Sequence, residues 1–194
     1  MIAVEYPSYG LYSPSPEINE NSIKEDADII YNFLRHAIGL SEKQIIVFGR
    51  SIGSGPAVHL ASKYEPLMMC LFSPFTSVRE AAAHLTFNIL AKFIKDKFRN
   101  IDLMDKVGCP LLIIHGKKDK IVPLSHSEEL LNKCASPKKQ LTSPDNMSHN
   151  DFDMTNDLLN PLLNFFLDNN LHKDELPPVD TRLFLAFRIS TDKK

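Results

Sequence analysis

Residues 45–62, IIVFGRSIGSGPAVHLAS, leave an apolar run and enter a helical pattern across three glycines, Gly49, Gly53 and Gly55, with Ser51 between the first two. In a strand–turn–helix, the residue at the turn can be held in a strained backbone conformation that lifts its side chain above the C-terminal edge of a sheet, provided its neighbours are small. Gly49 and Gly53 are expected to supply that room around Ser51, and Gly55 to let the helix pack close to the strand. The same geometry aims the first N–H groups of the helix, that of Ile52 included, at any oxygen anion formed beside Ser51. A phosphate-binding loop would need GxxxxGK[ST], and a dinucleotide site GxGxxG; GRSIGSG matches neither.

The strand-to-helix change recurs along the chain. Apolar runs at 2–6 (IAVEY), 44–49 (QIIVFG), 67–74 (LMMCLFSP), 110–116 (PLLIIHG) and, more weakly, 138–143 (KKQLTS) alternate with helical patterns near 21–37, 53–64, 78–98, 125–134 and 151–170. Short Ile-, Val- and Leu-rich runs closed by Gly or Pro read as buried strands. A SIKE sequence at Ser22–Glu25 suggests a capping box for the first helix. Strand alternating with helix predicts an α/β fold whose mostly parallel sheet is flanked by helices. One domain over 1–170 is expected, followed by a tail, 171–194, that begins near the proline pair at 177–178.

Composition excludes several partners. A net charge of -2 gives no basic field for nucleic acid. No eighteen-residue apolar run occurs and the N-terminus lacks a leader pattern, so neither a membrane span nor a signal peptide is expected. Cys70, Cys109 and Cys134 form no CxxC pair and read as small apolar packers in a reducing compartment.

A serine becomes a nucleophile only with a base, and the base needs an orienting partner. Asp119 follows the run LLIIHG in a loop at the same sheet edge as Ser51, because parallel strands all end on one side. His149, in PDNMSHND, follows the last weak strand. The chain order is serine, acid, histidine, and each residue comes from the end of a different strand. His149 would take the Ser51 proton through one ring nitrogen while Asp119 holds the other. Glu80 is the alternative acid.

GRSIGSGPAVHLASKYE, LLIIHGKKDKIVP and MSHND, with VEYPSYGLYSPSPEINENSIKEDADIIYNFL ahead of them, resemble the α/β-hydrolase superfamily of serine hydrolases. The likeness is to the branch holding the family-17 α/β-hydrolase-domain proteins, known as protein depalmitoylases, and the Bem46-like proteins. The resemblance implies an α/β-hydrolase fold, Ser51 as nucleophile, Asp119 as triad acid, His149 as base and Ile52 as one oxyanion-hole donor. It implies an acylated protein or a lipid-like ester as substrate, no cofactor, and a cytoplasmic location that extends to the cytosolic face of a membrane. It also implies an N-terminally incomplete domain. IAVEY resembles the superfamily's fourth strand, so strands 1 to 3, and the second oxyanion N–H after strand 3, have no counterpart in this chain.

Other polar residues carry quieter expectations. His115 reads as a structural hydrogen-bonding residue. His36, His59, His84, His126 and His172 lack metal-ligand spacing and read as helix-surface or loop residues. Asp145, Asp151 and Asp153 crowd His149 without a calcium-binding loop, and Asp151 is expected to begin the last helix, where a carboxylate suits the dipole. Across 85–99, Leu85, Ile89, Leu90, Phe93 and Ile94 fall on one helical face and Lys92, Lys95 and Arg99 on another. Such a helix either packs on the core with solvated lysines or borders an acyl pocket and turns its basic face to an anionic membrane.

Overall fold

The computed structural model describes residues 2–6, 19–85 and 94–171. The described sheet has four strands, β1 (Ile46–Arg50), β2 (Met68–Phe72), β3 (Leu111–Ile114) and β4 (Lys139–Thr142), paired in sequence order and all parallel. Among the described residues five α-helices accompany it: α1 (Glu20–His36), α2 (Ser54–Lys63), α3 (Val78–Leu85), α4 (Leu124–Lys133) and α5 (Asn160–Asp168).

The sequential order decides where the helices lie. Right-handed crossovers between neighbouring parallel strands, all stepping the same way, deliver their helices to one face. Accordingly Val47, Met69, Leu71, Leu111 and Ile113 pack with Ala57, Val58 and Ala61 of α2 and Leu130 of α4, and Tyr31 of α1 closes that core. The alternate residues Met68, Cys70, Phe72, Leu112 and Ile114 face the other way, against Phe165 of α5. The three cysteines are buried, and burial pushes the Cys70 thiol up to about 12, as expected of packing residues.

Several expectations change. Residues 2–6 form no strand, and Ile2 and Val4 lie half-exposed instead of buried in a sheet, where the composition puts them. β1 therefore has no partner on its outer side among the described residues, and Ile46 and Phe48 are 44% and 49% exposed. Helix α1 starts earlier than SIKE suggested. Asn19 caps it, accepting from the N–H groups of Asn21 and Ser22, while the Ser22 hydroxyl oxygen accepts from the Asn19 N–H; Ser22 is the third helical residue, not the cap.

The last helical segment likewise begins at Met154, as a π-helical stretch to Leu159 that runs into α5, and its cap is Asp153 rather than Asp151. Residues 94–99 are not helical, so the amphipathic helix expected across 85–99 does not run its length. Arg99 instead pairs with Asp96 and Asp102. Lys92, Ile89, Leu90 and Phe93, like His172 and most of the tail, lie outside the described residues.

Candidate active site

Ser51 directly follows β1 and opens a 3₁₀ turn, Ser51–Gly53, that leads into α2. Its φ of 49° is in the left-handed region, which a serine adopts only when the surroundings impose it. Gly49 shows the constraint: a Cβ there would lie 2.5 Å from the Gly53 carbonyl oxygen and 2.6 Å from the Ala57 Cβ. Gly53 differs from expectation, since among the described residues a Cβ would meet only the Tyr6 hydroxyl, at 3.4 Å. Gly55 makes room for something other than the strand, because the Phe98 ring would lie 2.3 Å from its Cβ. The start of α2 is fixed further by Asn100, whose Nδ2 donates to Ser54 Oγ and to the Phe75 carbonyl, both at 3.0 Å. Ile52 is the second residue of the helical run, where backbone N–H groups lack intrahelical acceptors.

Asp119 lies in the loop between β3 and α4, and its carboxylate is engaged on both oxygens. Oδ1 accepts from the N–H groups of Ile121 and Val122, each at 2.9 Å. Oδ2 accepts from His149 Nδ1 at 2.7 Å and has His115 Nε2 at 3.3 Å. Burial alone would push this carboxyl up. The donors from His115, His149, Val122 and Ile121 outweigh it and hold Asp119 well below the usual carboxylate range. An ionised Asp119 can only accept, so the proton of His149 resides on Nδ1. Its Nε2 lone pair then faces Ser51 Oγ at 3.0 Å and accepts the hydroxyl hydrogen.

The loops after β3 and β4 are sewn together to make this pairing. The Lys117 N–H donates to Pro144 O at 3.1 Å and the Lys118 N–H to Met147 O at 3.0 Å. That approach requires Gly116, where a Cβ would sit 2.0 Å from the Met147 carbonyl oxygen. His115 is structural, as expected: its Nε2–H donates to Val122 O at 2.8 Å, which leaves Nδ1 to accept from Ser127 Oγ at 2.6 Å.

Ser51, His149 and Asp119 are thus brought into one hydrogen-bonded chain, and Glu80 has no part in it. Sequence reasoning missed Gly116, although it stands in the quoted HG. It also missed Arg50, a charged residue closing an apolar run directly before Ser51. His126 was misplaced on the surface; it is buried, with Nδ1 accepting from the Thr76 N–H at 3.2 Å. Asp145 pairs with Lys117 and Asp153 caps the π-helical stretch, so these carboxylates do not converge. Among the described residues no cluster of His, Cys, Asp or Glu could hold a metal ion, and no helix is long and apolar enough to cross a membrane. A separate cleft of about 390 Å³ is lined by Thr76, Glu80, His84, Arg99, His126 and Glu129 among others, and by none of Ser51, Asp119 and His149.

No protein-family model matches the chain. It is 33% identical over 165 residues to α/β hydrolase domain-containing protein 17B of Xenopus laevis, covering 85% of this chain and 55% of that protein. It is 32% identical to protein 17C of Mus musculus, covering 85% and 50%. The chain therefore spans about half the length of these curated relatives. Among solved structures, an esterase of Pyrococcus furiosus matches with a TM-score of 0.66 at 16% identity, over 84% of this chain and 68% of that one. A monoacylglycerol lipase of Paleococcus ferrophilus matches at 0.56 and 14% identity, over 86% and 80%. With its parallel sheet, its flanking helices and these likenesses, the chain has an α/β-hydrolase fold and resembles the family-17 α/β-hydrolase-domain proteins over 85% of its length.

Proposed function

We propose that this chain acts as a serine hydrolase on an acyl ester or thioester carried by a protein or a lipid. The observation that carries the reading is the continuous chain Asp119 Oδ2, His149 Nδ1, His149 Nε2, Ser51 Oγ, at 2.7 and 3.0 Å, with Ser51 strained at a strand–helix turn. The hydrolase names of the relatives and the esterase and lipase names of the fold neighbours support it.

In the proposed reaction, Ser51 Oγ attacks the acyl carbonyl as His149 Nε2 takes its proton. Asp119 holds the resulting imidazolium through Nδ1–H and stabilises its charge. The tetrahedral oxyanion faces the Ile52 N–H, a donor of a kind worth about a hundred- to a thousandfold in kcat. Collapse expels the alcohol or thiol, which receives the proton from Nε2 and leaves an acyl-enzyme on Ser51. A water then attacks the acyl carbonyl as His149 Nε2 accepts its proton, and collapse breaks the carbonyl–Oγ bond, releasing the carboxylic acid while Nε2 returns the proton to Ser51 Oγ. None of these steps calls on a cofactor.

Protein depalmitoylation is the substrate reading that the family-17 likeness favours; a carboxylesterase or lysophospholipase is its rival. Comparing a palmitoyl-thioester peptide with p-nitrophenyl butyrate separates them. In either case Ser51→Ala and His149→Ala should each cost at least about a thousandfold in kcat, since such residues act as a unit. Retention of most activity in Ser51→Ala would remove the mechanism. Silence in a folded wild-type chain would favour a hydrolase remnant acting as a scaffold.

A further inference from the structure

Arg50 closes β1 and directly precedes Ser51, yet its side chain reaches a loop almost a hundred residues away. A single guanidinium nitrogen, Nη2, donates to the backbone carbonyl of His149 at 2.7 Å and to Asn150 Oδ1 at 2.9 Å. The guanidinium carbon also lies 5.6 Å from the centre of the Phe152 ring. Phe152 is anchored in turn, edge-on against Phe72 of β2 at 4.8 Å. The end of β1 therefore grips a carbonyl, a side-chain amide and an aromatic ring within four consecutive residues of the His149 loop.

Other bonds of that loop do a different job. The Ser148 N–H donates to Asp151 O at 2.8 Å and the Asp151 N–H to Ser148 Oγ at 3.1 Å, which fixes the loop's own shape. The Lys118 N–H, donating to Met147 O, ties the loop to the segment that carries Asp119. Arg50 ties it to the strand that carries Ser51. The imidazole has to meet both partners at once, so its backbone needs an anchor on each side.

We propose that Arg50 is a positioning residue for the Ser51–His149 pair: by holding the His149 carbonyl it sets how far the imidazole stands from the nucleophile. The inference rests on the hydrolase reading, and its test does not depend on turnover. Arg50→Met keeps a long side chain over Phe152 and removes both donors, while Arg50→Lys keeps one nitrogen with hydrogens to share.

Two quantities are measured on the full chain. One is the water-exchange rate of the hydrogen-bonded Nδ1 proton of His149, observed by NMR and assigned by its loss in His149→Gln. The other is the rate at which a fluorophosphonate labels Ser51. In Arg50→Met the proton should exchange at least about tenfold faster and labelling should slow by about ten- to a hundredfold, because an ångström of misplacement costs that much. The thermal midpoint should move by no more than about 2–4 °C, since Arg50 is exposed. Arg50→Lys should label at least about threefold faster than Arg50→Met, since its ammonium keeps a donor for the shared acceptors although it lacks the planar fork.

Wild-type proton exchange in Arg50→Met would overturn the proposal. So would equal losses in the Met and Lys variants accompanied by a large fall in midpoint, which would mark Arg50 as merely structural. If the wild type does not label at Ser51 while proton exchange still depends on Arg50, the hydrolase reading fails and the positioning role stands.

Discussion

Gly116→Ala probes the tight approach between the two loops that carry Asp119 and His149. The new Cβ would lie 2.0 Å from the Met147 carbonyl oxygen and 2.4 Å from its carbonyl carbon. Non-bonded carbon and oxygen need more than 3 Å, so the loops after β3 and β4 must separate by about 1 Å. Both contacting atoms are backbone, and no side-chain rotation can absorb the shift. Asp119 rides on one loop and His149 on the other, so the 2.7 Å bond between them stretches towards the limit of a hydrogen bond. A 1 Å error at a reacting pair costs about a hundredfold in rate. Overpacking adds a stability loss of about 1–3 kcal/mol, or a few degrees in thermal midpoint for each kcal/mol in a chain of this length. Fluorophosphonate labelling of Ser51, followed by mass spectrometry beside a thermal melt, reads both. Labelling within threefold of wild type at an unchanged midpoint would refute the claim that Gly116 sets the Asp119–His149 spacing.

Gly49→Ala should abolish labelling, with its Cβ 2.5 Å from the Gly53 carbonyl oxygen, whereas Gly53→Ala, at 3.4 Å from the Tyr6 hydroxyl, should label at close to the wild-type rate; equal effects would contradict the steric reading. Asp119→Asn should fold at pH 7 and lose about three to four orders of magnitude in turnover, because the amide favours the wrong imidazole tautomer. Its acid sensitivity should also change. The folded Asp119 carboxyl is held below its unfolded value near 4, so its contribution to stability is present above that pH and lost below it. The midpoint difference between wild type and Asp119→Asn should therefore shrink from pH 7 to pH 3, and a difference that grows would reverse the assignment. Phe48→Lys, at a half-exposed position on the edge strand β1 of the described sheet, should lower binding of a hydrophobic dye without lowering the midpoint.

The α/β pattern and the convergence of Ser51, Asp119 and His149 were legible because each rests on local chemistry. Apolar runs closed by Gly or Pro name strands, and the common direction of parallel strands brings their following loops to one edge. What could not be read depends on partners distant in sequence. IAVEY has the composition of a strand, but residues 2–6 are not among the strands of the described sheet, whose members are set by pairing and not by composition. Gly53 and Gly55 look alike in the sequence; only the arrival of Tyr6 and Phe98 distinguishes them. The helix expected through Arg99 is absent over 94–99, where the Val78 N–H donates to Lys97 O and the Arg79 N–H to Asp96 Oδ1, contacts across seventeen or more residues that periodicity does not encode. Arg50 passed unnoticed for the same reason, since its acceptors are at His149 and Asn150.

The measurement that bears most directly on the central claim is the site and extent of fluorophosphonate modification of the folded chain. The bond between His149 Nε2 and Ser51 Oγ predicts a single adduct on Ser51, absent in Ser51→Ala and slowed by orders of magnitude in His149→Ala. An adduct that persists in Ser51→Ala, or one that forms on Ser51 at the same rate without His149, would contradict it.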